Sequence, residues 1–90
     1  MASNNRRKAA ALHYSEGKAA PTLVAKGDGF IAEKILATAQ QEGVPIHHDP
    51  ALVGALSRLE LGEQIPTELF SAVATVIAFI YRLKRQQESR

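Results

Sequence analysis

The chain has no cysteine, which removes disulfides, thiolate metal sites and thiol nucleophiles together. Tryptophan is absent, and only five aromatic side chains are present, two Tyr and three Phe. So few rings offer little for nucleic-acid bases to stack on. Long apolar runs are missing as well. The longest uncharged stretch, "LFSAVATVIAFIY" (69–81), has thirteen residues, short of the roughly 20 that a membrane-crossing helix needs. Near the N-terminus Arg6, Arg7 and Lys8 precede "AAALHY", which is too short and too weakly apolar for the core of a signal peptide. These absences point to a soluble, cytoplasmic protein.

What is present is ordinary globular composition, 46% apolar and 22% charged over 90 residues, enough for one small domain. The net charge of +2 hides an uneven distribution. Residues 1–8 carry three cations, and residues 82–90 carry four cations and one anion. Residues 9–81 set Lys18, Lys26, Lys34 and Arg58 against eight acids, a balance of −4. A phosphate-binding domain places its cations on a folded face, whereas this folded part would repel phosphates. A small nucleic-acid-binding domain using the basic terminal segments is therefore the alternative reading, and no nucleic-acid partner is expected.

The pattern of breakers and apolar residues predicts alternating strands and helices. "AAALHY" (9–14) and "TLVA" (22–25) read as strands joined by a short turn, too close for a helical crossover and so antiparallel. Asp28 stands at an N-cap position before "GFIAEKILATAQQE" (29–42), a helix with Ile31, Ile35 and Ala39 on its apolar stripe and Gly43 as its stop. "VPIH" (44–47) reads as a short strand, placed at an edge or a strand start because Pro45 has no N–H. Asp49 and Pro50 signal the next helix start, and Leu52, Ala55, Leu56 and Leu59 make its buried face. "LELGEQI" (59–65) is a brief extended stretch, and Pro66 opens a last helix to about Lys84. That helix is apolar nearly all round, which predicts a central element covered on more than one side. The expected fold class is α/β, a small mixed sheet of about four short strands packed with three helices.

Three groups of residues invite chemistry, and each has a plainer explanation. His47, His48 and Asp49 have metal-ligand side chains, but neighbours on a strand point to opposite sides and Asp49 is needed as a cap. "AKGDG" (25–29) lacks the spacing of either glycine-rich phosphate loop, and Asp28 would stand where the phosphate lies. Lys26 in that loop reads as a surface cation. Ser15, Ser57 and His13 form no recognisable nucleophile–base–orienter set. No metal, no cofactor and no enzymatic activity are expected.

Four strings, "PTLVAKGDGFIAEKI", "EGVPI", "DPALVGAL" and "LELGEQIPTELFSAVATVIAFIYRLKR", together resemble the cytoplasmic C-terminal domain of the FlhB/YscU family. These are switch proteins of flagellar and virulence type III export. The resemblance covers about residues 9–85, leaving a basic leader at 1–8 and a polar tail at 86–90. In the family the domain follows four transmembrane helices and begins with Asn-Pro-Thr-His, where the Asn amide attacks its own carbonyl and releases a Pro-led fragment. Aligning the first strand puts Asn4 at that Asn, and Asn5, Arg6 and Arg7 at the Pro, Thr and His. Without the Pro and His, the nucleophile lacks orientation and a proton relay, so the resemblance implies a domain that does not cleave itself.

The resemblance also implies a role. The chain would be a non-enzymatic component of the export apparatus, supporting substrate recognition or switching at the export gate. Its partners would be the membrane part of the FlhB-like switch, the export gate, and export substrates or their chaperones, and any membrane association would run through them. An apolar patch implicated in the family corresponds by position to Ala20, Pro21, Ala74 and Ile77. One departure is Gly54, which stands where the family's "PPLARAL" has a typical Arg and costs about 1 kcal/mol of helix propensity relative to Ala.

Overall fold

A computed structural model describes residues 7–15, 17 and 20–88 of the chain. In order these form β1 (Lys8–His13), β2 (Thr22–Asp28), α1 (Gly29–Glu42), α2 (Pro50–Leu56), a 3-10 turn at Thr67–Leu69, and α3 (Phe70–Glu88). The strands pair antiparallel as expected, from Lys8 opposite Asp28 to His13 opposite Thr22. Between Ala11 and Leu12 the register slips and Val24 becomes the additional residue of a bulge. β2 runs past Ala25 to Asp28 because Ala10, Ala9 and Lys8 continue the ladder with Lys26, Gly27 and Asp28.

The sheet is two-stranded and antiparallel, not mixed and four-stranded as the sequence predicts. The extended stretch before Pro66 is partly realised. Leu23 N–H donates to the Glu63 carbonyl (3.0 Å), Gly62 N–H to Leu23 (2.8 Å) and Ile65 N–H to Pro21 (2.9 Å). Residues 62–65 thus line the free edge of β2 and reach only a single bridge, Thr22 with Gln64.

The expected strand at 44–47 does not form, and the cause lies in the preceding helix. Gly43, at φ 74°, lets its N–H bond to Gln40 (3.3 Å) and the Val44 N–H bond back to Ala39 (2.8 Å). This paired closure ends α1 and uses the donor of Val44. Pro45 has none to offer. Val44 and Ile46 stay 52% and 46% exposed, with no strand alongside.

Alternation along β1 sends its side chains into two layers. Ala10 and Leu12 pack against the core cluster of Leu56, Ile65 and Val73, which Leu52, Leu59, Leu69 and Ile77 surround. Ala9, on the other face, pairs with Gly27 at the place where Ile31 of α1 comes down. α1 therefore covers one face of the sheet, and α2 and α3 the other. The buried residue of α1 is Ala32, while Ile31 is 52% exposed. Of the expected Ile31–Ile35–Ala39 line, Ile35 and Ala39 are half-buried and Ile31 departs, while the small side chain of Ala32 lets the helix settle close to a sheet built of alanine and glycine.

α3 departs further from expectation. Of its apolar residues only Val73 is buried, and Phe70, Phe79, Tyr81 and Leu83 are exposed. α3 meets the rest of the fold chiefly near its start, at the 3-10 turn and through Val73 on the Leu56–Ile65 cluster, whereas its nineteen residues span about 28 Å. A helix that reads as central thus leaves much of its apolar side uncovered among the described residues.

Capping is also divided. The Asp49 carboxylate accepts from the Leu52 N–H (3.1 Å), with Pro50 at the first helical position, as predicted. Asp28 occupies the N-cap position of α1 but makes no side-chain cap. Its Oδ1 pairs with Lys8 Nζ at 3.2 Å, an exposed bridge of little energetic weight, and the Gly29 N–H is taken by the Arg7 carbonyl (2.8 Å). Lys26, expected as a free surface cation, donates to the carbonyls of Leu59 (2.6 Å) and Ser57 (3.2 Å) beyond the end of α2. A cation there offsets the negative helix terminus and ties α2 to β2.

Gly54 sits inside α2 with nothing within 4 Å of the space that a Cβ would occupy. Gly54→Ala should stabilise the domain by about 0.5–1 kcal/mol through helix propensity. Urea unfolding followed by circular dichroism checks this, and a midpoint that fails to rise would show α2 to be strained in a way the backbone does not reveal.

Candidate functional site

The residues expected from the sequence to form a surface lie on α3 and on the turn that leads into β2. The Pro21 carbonyl holds the Ile65 N–H, and Ile65 is buried beside Val73 and Leu56. Ile77, one turn along α3 from Val73, packs on the same cluster. Pro21 and Ile77 thus flank a shared piece of core. Ala74 follows Val73 in sequence and turns outward to solvent.

The four residues differ in what they can offer a partner. Ala20 and Pro21 are buried, Ile77 is half-buried and Ala74 is exposed. Of the four, Ala74 and part of Ile77 present surface. Two neighbours extend the exposed part. Phe70 and Tyr81 fall on the Ala74 side of α3 by helical spacing and are exposed. Phe70, Ala74, Ile77 and Tyr81 recur at i, i+4, i+7 and i+11, a signal legible in the sequence but hidden by the apolar residues on every other side.

The groups that suggest other chemistry are dispersed. The His47 ring meets Phe79 edge-on, with centroids 6.0 Å apart and planes at 65°. His13 Nε2 lies 3.1 Å from Ser15 Oγ across an exposed strand end. Ser57 Oγ donates to the Val53 carbonyl within its own helix (2.8 Å). Among the described residues no three or more His, Asp or Glu side chains stand together so as to hold a metal ion. Asn4 and the rest of the basic leader before Arg7 lie outside the described residues. None of the described helices is long and apolar enough to cross a membrane.

Similarity to known proteins extends over most of the chain. The sequence model of the family described as FlhB HrpN YscU SpaS matches residues 3–80. The protein YlqH of Bacillus subtilis (strain 168) is 41% identical over 85 residues, covering 93% of this chain and 91% of YlqH. The flagellar biosynthetic protein FlhB of Escherichia coli (strain K12) is 46% identical over 77 residues, covering 83% of this chain. The matched part is 20% of that FlhB, so the chain corresponds to about a fifth of it. The crystal structure of the cytoplasmic domain of FlhB from Shewanella putrefaciens superposes with a TM-score of 0.85 at 36% identity, covering 92% of this chain and 69% of that one.

Proposed function

The chain belongs to the FlhB HrpN YscU SpaS family, and from that membership we propose that it serves as a non-enzymatic component of a flagellar or other type III export apparatus. The observation that carries the proposal is the likeness, in fold and in sequence together, to the cytoplasmic domain of FlhB. The chain would work at the cytoplasmic face of the export gate, held there by the membrane part of an FlhB-like switch, and would take part in recognising export substrates or in switching between them. Asn4 is followed by Asn5 and not by proline, which supports a domain that performs this work without self-cleavage. An acidic body and only five aromatic residues disfavour nucleic acid as the partner.

Substrate recognition would use the exposed part of the α3 surface, with Ala74 and Ile77 in contact. Apolar surface of this kind binds short apolar segments and loses them when a charge must be desolvated. Ala74 provides the clean test because it is exposed, whereas a charge at buried Pro21 would disturb the fold itself. Ala74→Glu should weaken binding of a purified early export substrate at least tenfold, read by calorimetric titration, with an unchanged circular dichroism spectrum. Binding that survives the substitution would take this surface out of the proposal.

A further inference from the structure

The apolar residues that α3 leaves uncovered fall on two flanks, and only one of them borders Ala74. Counted at about 100° per residue from buried Val73, Phe70, Ala74 and Tyr81 lie about 60–100° to one side. Ala72, Val76, Phe79 and Leu83 lie about 60–120° to the other. The second set is spaced by four, three and four residues, the spacing with which one helix buries a seam against another. Phe79 is 44% exposed and Leu83 46%, Ala72 is exposed and Val76 half-buried. Beside the seam runs the segment after α1, whose His47 ring touches Phe79 and whose Val44 and Ile46 are also exposed.

Charge singles out the occupant. Arg82, Lys84 and Arg85 are all exposed, and the sequence has no acidic residue from Phe70 to Gln87. On the helical wheel Arg82 and Lys84 stand on opposite sides of the Phe79–Leu83 line. Residues 9–69, by contrast, set four cations against eight acids. An anionic bilayer would attract the end of α3 but repel that body. A second copy of the chain would bring one positive α3 to another.

We propose that the Ala72–Val76–Phe79–Leu83 flank of α3 docks an amphipathic helix of another protein whose residues beside the apolar seam are acidic. Apolar burial supplies the attraction, and the flanking cations reject neutral or basic helices of the same shape. The inference stands on the packing and charge of α3 and does not depend on a place in the export apparatus.

The test uses the full chain and a labelled synthetic peptide of about three heptads, with Leu at the seam and Glu beside it. A control peptide carries Lys in place of Glu. Fluorescence anisotropy should show the acidic peptide binding at least tenfold more tightly than the basic one, and more weakly as salt is raised from about 50 to about 300 mM. Leu83→Asp, at an exposed position near the end of the helix, should weaken it at least tenfold. Arg82→Glu combined with Lys84→Glu should do the same with the seam intact. Absence of binding, equal binding of the two peptides, or indifference to both sets of variants would each overturn the proposal. So would Leu83-dependent capture by phosphatidylglycerol vesicles, or Leu83-dependent dimerisation, without peptide binding.

Discussion

Gly27→Ala should destabilise the domain by about 2–3 kcal/mol, the range of an overpacked core, although it adds only one methyl group. A Cβ at this position would lie 2.6 Å from Ile31 Cβ and would meet Ile31 Cγ2 as well. The obstruction includes the branch point of a β-branched side chain at the first turn of α1, which cannot rotate out of the way. Gly27 is fixed in turn by its pairing with Ala9, so either α1 lifts from the sheet or the ladder gives. The account makes a sharper statement through a double substitution. Ile31 is half exposed, so Ile31→Gly alone should cost about 1 kcal/mol of helix propensity, and in its presence Gly27→Ala should cost well under half of its single-variant value. Additive losses in urea unfolding would show that the close approach is not the cause.

The second large effect lies four residues earlier. Leu23 is fully buried, and its N–H and C=O are both held by the 62–63 edge. Leu23→Ala should cost about 3–5 kcal/mol, because the backbone pairing keeps the strand in place and the vacated space cannot collapse. A domain of 90 residues has about 5–13 kcal/mol of stability in all, so this one substitution should leave a measurable unfolded population at moderate temperature. Its neighbour Val24, the bulge residue exposed to solvent, makes the control, and Val24→Ala should shift stability by less than about 1 kcal/mol. Comparable losses at the two positions would mean that the bulge, and not the burial of Leu23, governs this strand.

Much of the fold was legible in the residues themselves. The antiparallel pair, the span of α1 and the Asp49–Pro50 start of α2 all follow from local chemistry that the tertiary structure has no reason to override. What misled were features decided elsewhere in the chain. "VPIH" has strand composition, but its first donor is spent in closing α1 and its second residue is proline. Asp28 has the ideal side chain for a cap, yet its carboxylate pairs with Lys8 of the adjoining strand. Lys26 looked free because nothing local shows that the end of α2 lies within its reach.

The candidate site was only half legible for a related reason. Hydropathy alone makes α3 a core helix, and only its burial in the fold shows which apolar residues are left outside. Ala74 and Ile77 could be named through a family resemblance, whereas Phe70 and Tyr81 on the same side, and Phe79 and Leu83 on the other, emerged from burial. Burial also separates residues that the sequence treated alike, since Ala20 and Pro21 are buried and Ala74 is exposed.

The central claim, that the chain works as an export-apparatus domain, is tested most directly by separate supply. In a flagellated bacterium whose FlhB is truncated before its cytoplasmic region, this chain would be produced from a second locus and secretion of early and late flagellar substrates measured. The account predicts restored export of early substrates with the unaltered chain and loss of that export with Ala74→Glu. No secretion, with the chain present and folded in those cells, would contradict it.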